Sequence, residues 1–298
     1  MKRIILAIVI LLTLSPTLVR AQEQTEAPAA PQTLFPYPQV PDTISSLENR
    51  TNFIVSKFWD NYDVSKPITN PEGFENAFAD YIDFFKYAHK TVVMTSIRDF
   101  VNKLQSNTTN LLVVAKLADK YLYGPTASYW SDEVYVPFIQ GVLSSKKLKN
   151  TDKEYFKNQL SKINGNQEGQ IAPDIEVTTV DGNKQKLSSL VNGLTFIFFT
   201  EEDCDGCVIS RLRLSTDVNI NTLIKDGKLK IVCVTPNGYS KEWAEKVKGW
   251  ADNWTIAASN ETNSFDLRIK PTIFVVDKDY KILNKNMTVE GILNMFIR

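Results

Sequence analysis

Residues 194–214 read Leu-Thr-Phe-Ile-Phe-Phe-Thr-Glu-Glu-Asp-Cys-Asp-Gly-Cys-Val-Ile-Ser-Arg-Leu-Arg-Leu, and this stretch organises the chain. Leu194 to Thr200 is a run of β-branched and aromatic residues, which reads as a buried strand. An acidic loop then delivers Cys204-Asp205-Gly206-Cys207 to the start of an amphipathic segment, a helix N-terminus. Two cysteines three positions apart, where a strand feeds a helix, have the geometry of a dithiol that opens and closes as a disulfide. Cys204, at the helix start, is the expected nucleophile, because unpaired N–H groups and the helix dipole favour a thiolate. Cys207, one turn further in, is the expected resolving thiol.

The surroundings oppose that tendency. Glu201, Glu202, Asp203 and Asp205 crowd the pair, and negative charge disfavours a thiolate. By direction, this makes the couple more reducing and argues for a reductant or isomerase over an oxidase. Haem attachment needs a histidine after the second cysteine, and Val208 stands there. A zinc site needs about four ligands, and beyond this pair the chain offers only Cys233 and His89. No metal or other cofactor is expected beyond the dithiol itself. Cys233 alternates with Leu229 and Ile231 along another apolar run, so it reads as an inert core thiol.

Working outward, Asn164 to Gln170 is polar and glycine-bearing, a boundary. After it, Ile175–Val180, the turn Asp181-Gly182-Asn183 and Lys184–Leu187 read as a hairpin. Leu229–Thr235 and Ile273–Val276 read as central strands and Lys281–Leu283 as a neighbour of the second. Lys241–Trp250 and Val289–Ile297 read as helices. Strands alternating with helices predict an α/β domain with a mixed sheet over residues 168–298. Upstream, residues 43–163 show apolar residues at helical spacing and predict an all-α domain of five to six helices. Asn70 and Pro71 mark one helix start, Thr151 to Glu154 has capping-box spacing, and Pro137 predicts a kink or a delayed start in the segment Asp132–Leu143. The aromatic stripes of these helices read as core.

At the N-terminus, Lys2 and Arg3, an apolar run from Ile4 to Leu14, and Val19-Arg20-Ala21 give residues 1–21 the pattern of a signal peptide. Residues 22–42, with five prolines between Gln22 and Pro41, predict an extended linker. Removing the leader leaves 31 basic and 34 acidic residues, a net charge of −3, which gives no sign of nucleic-acid binding. Export would also place the cysteines where disulfides persist.

With these residues placed, the region from about 168 to 298 resembles the thioredoxin superfamily, and within it the TlpA-type thiol:disulfide exchange proteins and their peroxiredoxin-related cousins. The resemblance is carried by Ala172-Pro173-Asp174, the Asp181-Gly182 hairpin, the Phe-rich strand into Cys204-Asp205-Gly206-Cys207, and Ile269-Lys270-Pro271-Thr272-Ile273-Phe274-Val275-Val276-Asp277. It implies a thioredoxin-like fold in which Pro271 has a cis peptide bond, faces the cysteines and shapes a substrate groove. The chain departs from that pattern in Asp203, where tryptophan is usual, and in the interior pair Asp205-Gly206. Thr200 stands one position too far from Cys204 for a peroxidatic Thr-x-x-Cys site. Around Phe58-Trp59-Asp60-Asn61-Tyr62-Asp63 the helical half resembles an N-terminal domain of unknown function found ahead of thioredoxin-like domains in secreted proteins of Gram-negative bacteria. Together these imply an exported thiol:disulfide oxidoreductase in the periplasm or cell envelope. Its partners would be envelope protein thiols and disulfides and an upstream reductant. A non-catalytic exported binding or scaffold protein with the same fold is the alternative.

Overall fold

The computed structural model of the chain describes residues 33–296. The expected leader, residues 1–21, and residues 22–32 of the expected linker lie outside the described residues. From Leu34 onward the described residues form one compact unit.

The first half of that unit is helical: α1 (Leu47–Lys57), α2 (Pro71–Asp83), α3 (Lys90–Leu104), α4 (Thr108–Ala118), α5 (Asp132–Ser144) and α6 (Asn150–Gly165). The helix starts are set by side chains that accept orphan backbone N–H groups. Ser46 accepts from Asn49, Asn70 from Gly73 with Pro71 at the first helical position, Asn107 from Asn110, and Ser131 from Val134. The lone histidine, His89, caps α3 through its ring Nδ1. Two expectations shift. α6 starts at Asn150, with the Asp152 carboxylate accepting the Lys149 N–H, so the box forms two residues earlier than the Thr151–Glu154 spacing suggested. Pro137 lies inside α5 without delaying its start.

The helical core is aromatic. Trp59 stacks on Phe100 with ring centroids 4.3 Å apart, and Phe58, Phe74 and Tyr81 close around it. Residues 33–46 contain no helix or strand, as their prolines dictate, yet they are not free. Phe35 is buried against Phe58 and Trp59, and the Tyr37 hydroxyl donates to Asp80 at 2.7 Å. The linker reading therefore ends before Phe35, because a buried aromatic side chain outweighs the lack of regular backbone pairing.

The second half is a seven-stranded mixed sheet. Its strands are β1 (Glu176–Thr179), β2 (Lys184–Lys186), β3 (Thr195–Phe199), β4 (Lys230–Thr235), β5 (Thr255–Ala258), β6 (Thr272–Val276) and β7 (Ile282–Lys285), in the order β2-β1-β5-β4-β3-β6-β7. Helices α7 (Asp205–Thr216), α8 (Val218–Lys225), α9 (Lys241–Val247) and α10 (Val289–Phe296) flank it. All five residues of β3 are buried. Phe196 and Phe198 enter the core under α7 and α10, whereas Ile197 and Phe199 pack on the opposite face with Phe265 and Phe274. That is the period-2 alternation of a strand covered on both sides. β3 pairs with β4 in parallel and with β6 antiparallel, and Phe199 faces Thr272. The end of β3 and the start of β6 therefore share one edge of the sheet.

Candidate functional site

That shared edge assembles the site. Five residues beyond Phe199, Cys204 forms the N-cap of α7, and its Sγ accepts the Cys207 N–H at 3.1 Å. Immediately before Thr272 lies Pro271, whose bond to Lys270 is cis. Cys204 and Cys207 form a disulfide, with their Cα atoms 5.1 Å apart. Cys204 is half-buried and Cys207 fully buried, so only the first sulfur faces an incoming group. Pro271 stands against the same turn: a side chain on Gly206 would meet the Lys270 carbonyl at 3.8 Å and the Pro271 ring at 3.9 Å. Cys204, Cys207 and Pro271 are thus brought together.

The four acids around the pair do not act alike. Glu201 pairs with Lys270 at 2.6 Å, and Glu202 with Lys246 on α9 at 3.5 Å. Asp203 and Asp205 are exposed and have no ion-pair or side-chain hydrogen-bond partner among the described residues. Half of the negative charge read from the sequence is therefore compensated by lysines distant in the chain. Lys270 was visible beside Pro271, but its pairing across 69 residues was not. The third cysteine, Cys233, is completely buried on β4, and loss of solvation pushes its thiol up to about 12. It sits in the core beneath α7 and is no third partner in exchange.

A second cluster holds this edge against the helical half. The Arg268 guanidinium donates to both Asp266 oxygens at 2.7 and 2.5 Å, to Asp132 at the start of α5 at 2.7 Å, and to the Tyr123 carbonyl at 2.8 Å. Its plane lies 3.5 Å from the Tyr123 ring centroid. Lys285 on β7 completes the group with a 2.8 Å pair to Asp132. Burial would lift the Asp132 carboxyl, but the charges of Arg268 and Lys285 outweigh it and hold it below the usual carboxylate range. The Tyr123 carbonyl is available to Arg268 at the end of a single π-helical turn, Asp119–Tyr123, that follows α4. Asn166 adds two bonds, donating to the Ser264 carbonyl and accepting from the Asp266 N–H. Beside this cluster a cleft of about 580 Å³ opens between the two halves, lined by Tyr155 and Lys162 on one side and by Glu201, Pro236 and Leu267 on the other. Nothing in the sequence announced it, since its walls lie far apart along the chain. Among the described residues, no helix is long and apolar enough to cross a membrane.

Residues 15–166 match the family model described as a domain of unknown function, DUF5106. A crystal structure of a thioredoxin-like protein from Bacteroides caccae ATCC 43185 matches with a TM-score of 0.73 and 24% identity, covering 89% of this chain and 99% of that one. That likeness spans both halves and shows the fold. The conserved protein BF1870 of unknown function from Bacteroides fragilis matches at TM-score 0.40 and 22% identity, over 43% of this chain and 98% of that one. The thioredoxin domain of a thiol-disulfide oxidoreductase from Bacteroides vulgatus matches at TM-score 0.38 and 19% identity, over 44% of this chain and 99% of that one. No curated protein matches the chain.

Proposed function

Because the chain belongs to the DUF5106 family and joins that region to a thioredoxin-like half, we propose that it is an exported thiol:disulfide oxidoreductase that reduces or isomerises disulfides of envelope proteins. One observation carries the reading. A half-buried cysteine and a fully buried one share a disulfide at a helix N-terminus, beside cis-Pro271. A purely structural staple has no need for one accessible sulfur facing a proline-lined edge.

In the reduced protein, the Cys204 thiolate attacks one sulfur of a client disulfide and forms a mixed disulfide, releasing the other client sulfur as a thiolate that takes up a proton. The Cys207 thiolate then attacks Sγ of Cys204, the client's second sulfur leaves, and the Cys204–Cys207 bond seen here is restored. An upstream dithiol reductant returns the two electrons. The α7 N-terminus supports the Cys204 thiolate, including through the Cys207 N–H that already points at its sulfur. Asp203 and Asp205 oppose it, which favours the reducing direction.

Reduction of insulin by dithiothreitol tests the chemistry. Wild-type protein accelerates it, Cys204→Ser abolishes the acceleration, and identical traces for the two would overturn the proposal. Equilibration with glutathione tests the direction. The couple should lie nearer the thioredoxin value of about −270 mV than the strong-oxidant value of about −120 mV.

A further inference from the structure

The helix that carries the dithiol is not amphipathic as its sequence pattern suggested. Cys207 and Leu214 point inward, but Val208, Ile209 and Leu212 are 40%, 58% and 60% exposed. Positions 208, 209 and 212 share one face of α7, and Asp205 precedes them on that face by one turn. Val218, at the start of α8, is also exposed, at 76%. A single exposed aliphatic residue needs no explanation, whereas several together beside a reactive sulfur mark a contact surface.

We propose that this face of α7, with Asp203 and Asp205 at its cysteine end, is the docking surface for a folded protein partner that presents an apolar patch rimmed by lysine or arginine beside its own cysteine. The inference rests on the exchange reading above and names the kind of protein that exchanges with Cys204. Charge selects the occupant. Glu201 and Glu202 are satisfied by Lys270 and Lys246, but Asp203 and Asp205 are exposed and unpaired among the described residues, so the stripe ends in two acids that a cationic rim would complement. A second copy packed α7 against α7 does not supply that rim. Of the two arginines on α7, Arg213 is paired with Glu290, and Arg211 lies 3.7 Å over the Trp250 ring. Self-packing of α7 would bury the apolar residues and leave the acids unanswered.

The test uses the full chain in its oxidised form and two fluorescein-labelled amphipathic helical peptides of about fourteen residues. Both carry a leucine face and a serine in the cysteine position, and they differ only in having lysines or glutamates around that serine. Fluorescence anisotropy should show saturable binding of the lysine peptide and binding at least about tenfold weaker for the glutamate peptide. Leu212→Glu should weaken the lysine peptide by a similar factor. Leu212→Gln removes the apolar contact without adding charge and should do the same in part. Asp203→Lys combined with Asp205→Lys should reverse the peptide preference. Equal affinity for the two peptides, or binding unchanged in both Leu212 variants, overturns the proposal. A wild-type dimer that dissociates in Leu212→Glu while neither peptide binds assigns the stripe to a second copy, and also overturns it.

Exchange is read separately, as release of nitrothiobenzoate from 5,5′-dithiobis(2-nitrobenzoate) by the reduced protein. The small reagent does not need the stripe, so the uncharged Leu212→Gln variant should react at the wild-type rate. Selective peptide binding without that release supports the docking surface and overturns the exchange chemistry.

Discussion

At the scale of single residues, the site is tuned by charges that the chain order conceals. Glu201→Gln would free the Lys270 ammonium beside Pro271 and the Cys204 turn. A released positive charge favours the thiolate, so the pH midpoint of thiolate absorbance at Cys204 should fall and the reduction potential should become less negative. The pair is partly exposed and worth under about 1 kcal/mol, so the change in potential should not exceed about 20 mV. Lys270→Gln should move both readings the other way. Cys233 gives a prediction of opposite character. Its thiol is raised from 9.0 to about 12 by burial, so the native state holds this proton more tightly than the unfolded chain does. The resulting stability is complete below pH 9 and declines as pH rises towards 12. Urea denaturation should therefore show wild type losing up to about 1.4 kcal/mol per pH unit relative to Cys233→Ala in that window. Cys204, Cys207, Pro271 and the inert Cys233 were all legible in the sequence, because spacing and strand alternation are local signals. The compensation of Glu201 and Glu202 was not, because Lys270 and Lys246 reach them only through the fold.

At the scale of elements, the reading succeeded where a turn, a cap or a buried run marks the element locally and failed where only neighbouring strands define it. The hairpin of β1 and β2, the buried β3 and the start of α2 at Asn70 and Pro71 follow their sequence signals closely. Strand β5 went unread. Its four residues, Thr255–Ala258, include two alanines, which carry no strand preference of their own, and it exists because β4 and β1 offer it edges on both sides. Pro137 predicts a kink or a delayed start, yet α5 starts at Asp132 and carries Pro137 buried within it, so its packing tolerates the lost bond. The same helix carries a sharper constraint. A Cβ on Gly141 would collide with the Val101 side chain on α3, and the Gly141 carbonyl already accepts from Gln105. Gly141→Ala should force α3 and α5 apart and destabilise the protein by about 1–3 kcal/mol, against the usual gain of alanine over glycine in a helix. A lowered urea midpoint with an unchanged rate of exchange by Cys204 would bear this out. A stabilised variant would show that Val101 moves aside at little cost.

At the scale of the whole molecule, Arg268 decides whether the two halves behave as one body. Its side chain is 10% exposed and faces the buried Asp266 and the half-buried Asp132, so removing it leaves the Asp266 carboxylate without its main partner. Arg268→Gln should cost about 3–5 kcal/mol and split a single unfolding transition into two, detectable as separate midpoints for near-ultraviolet signals from the helical aromatics and for reactivity of Cys233. Because Asp132 is held below its ordinary range, the clamp should persist in acid and fail only as pH falls through that lowered value; its contribution is present above about pH 3.8. The same cluster bears on inheritance. Asp132 belongs to one half and Arg268, Asp266 and Lys285 to the other, so a recombination event that joins either half to a relative lacking the matching charges leaves a largely buried ion without its partner. Shuffling at the polar junction near residues 164–170, harmless by its composition, would be penalised a hundred residues away. The two halves should therefore descend together, with changes at Asp132 and Arg268 tracking one another among related chains.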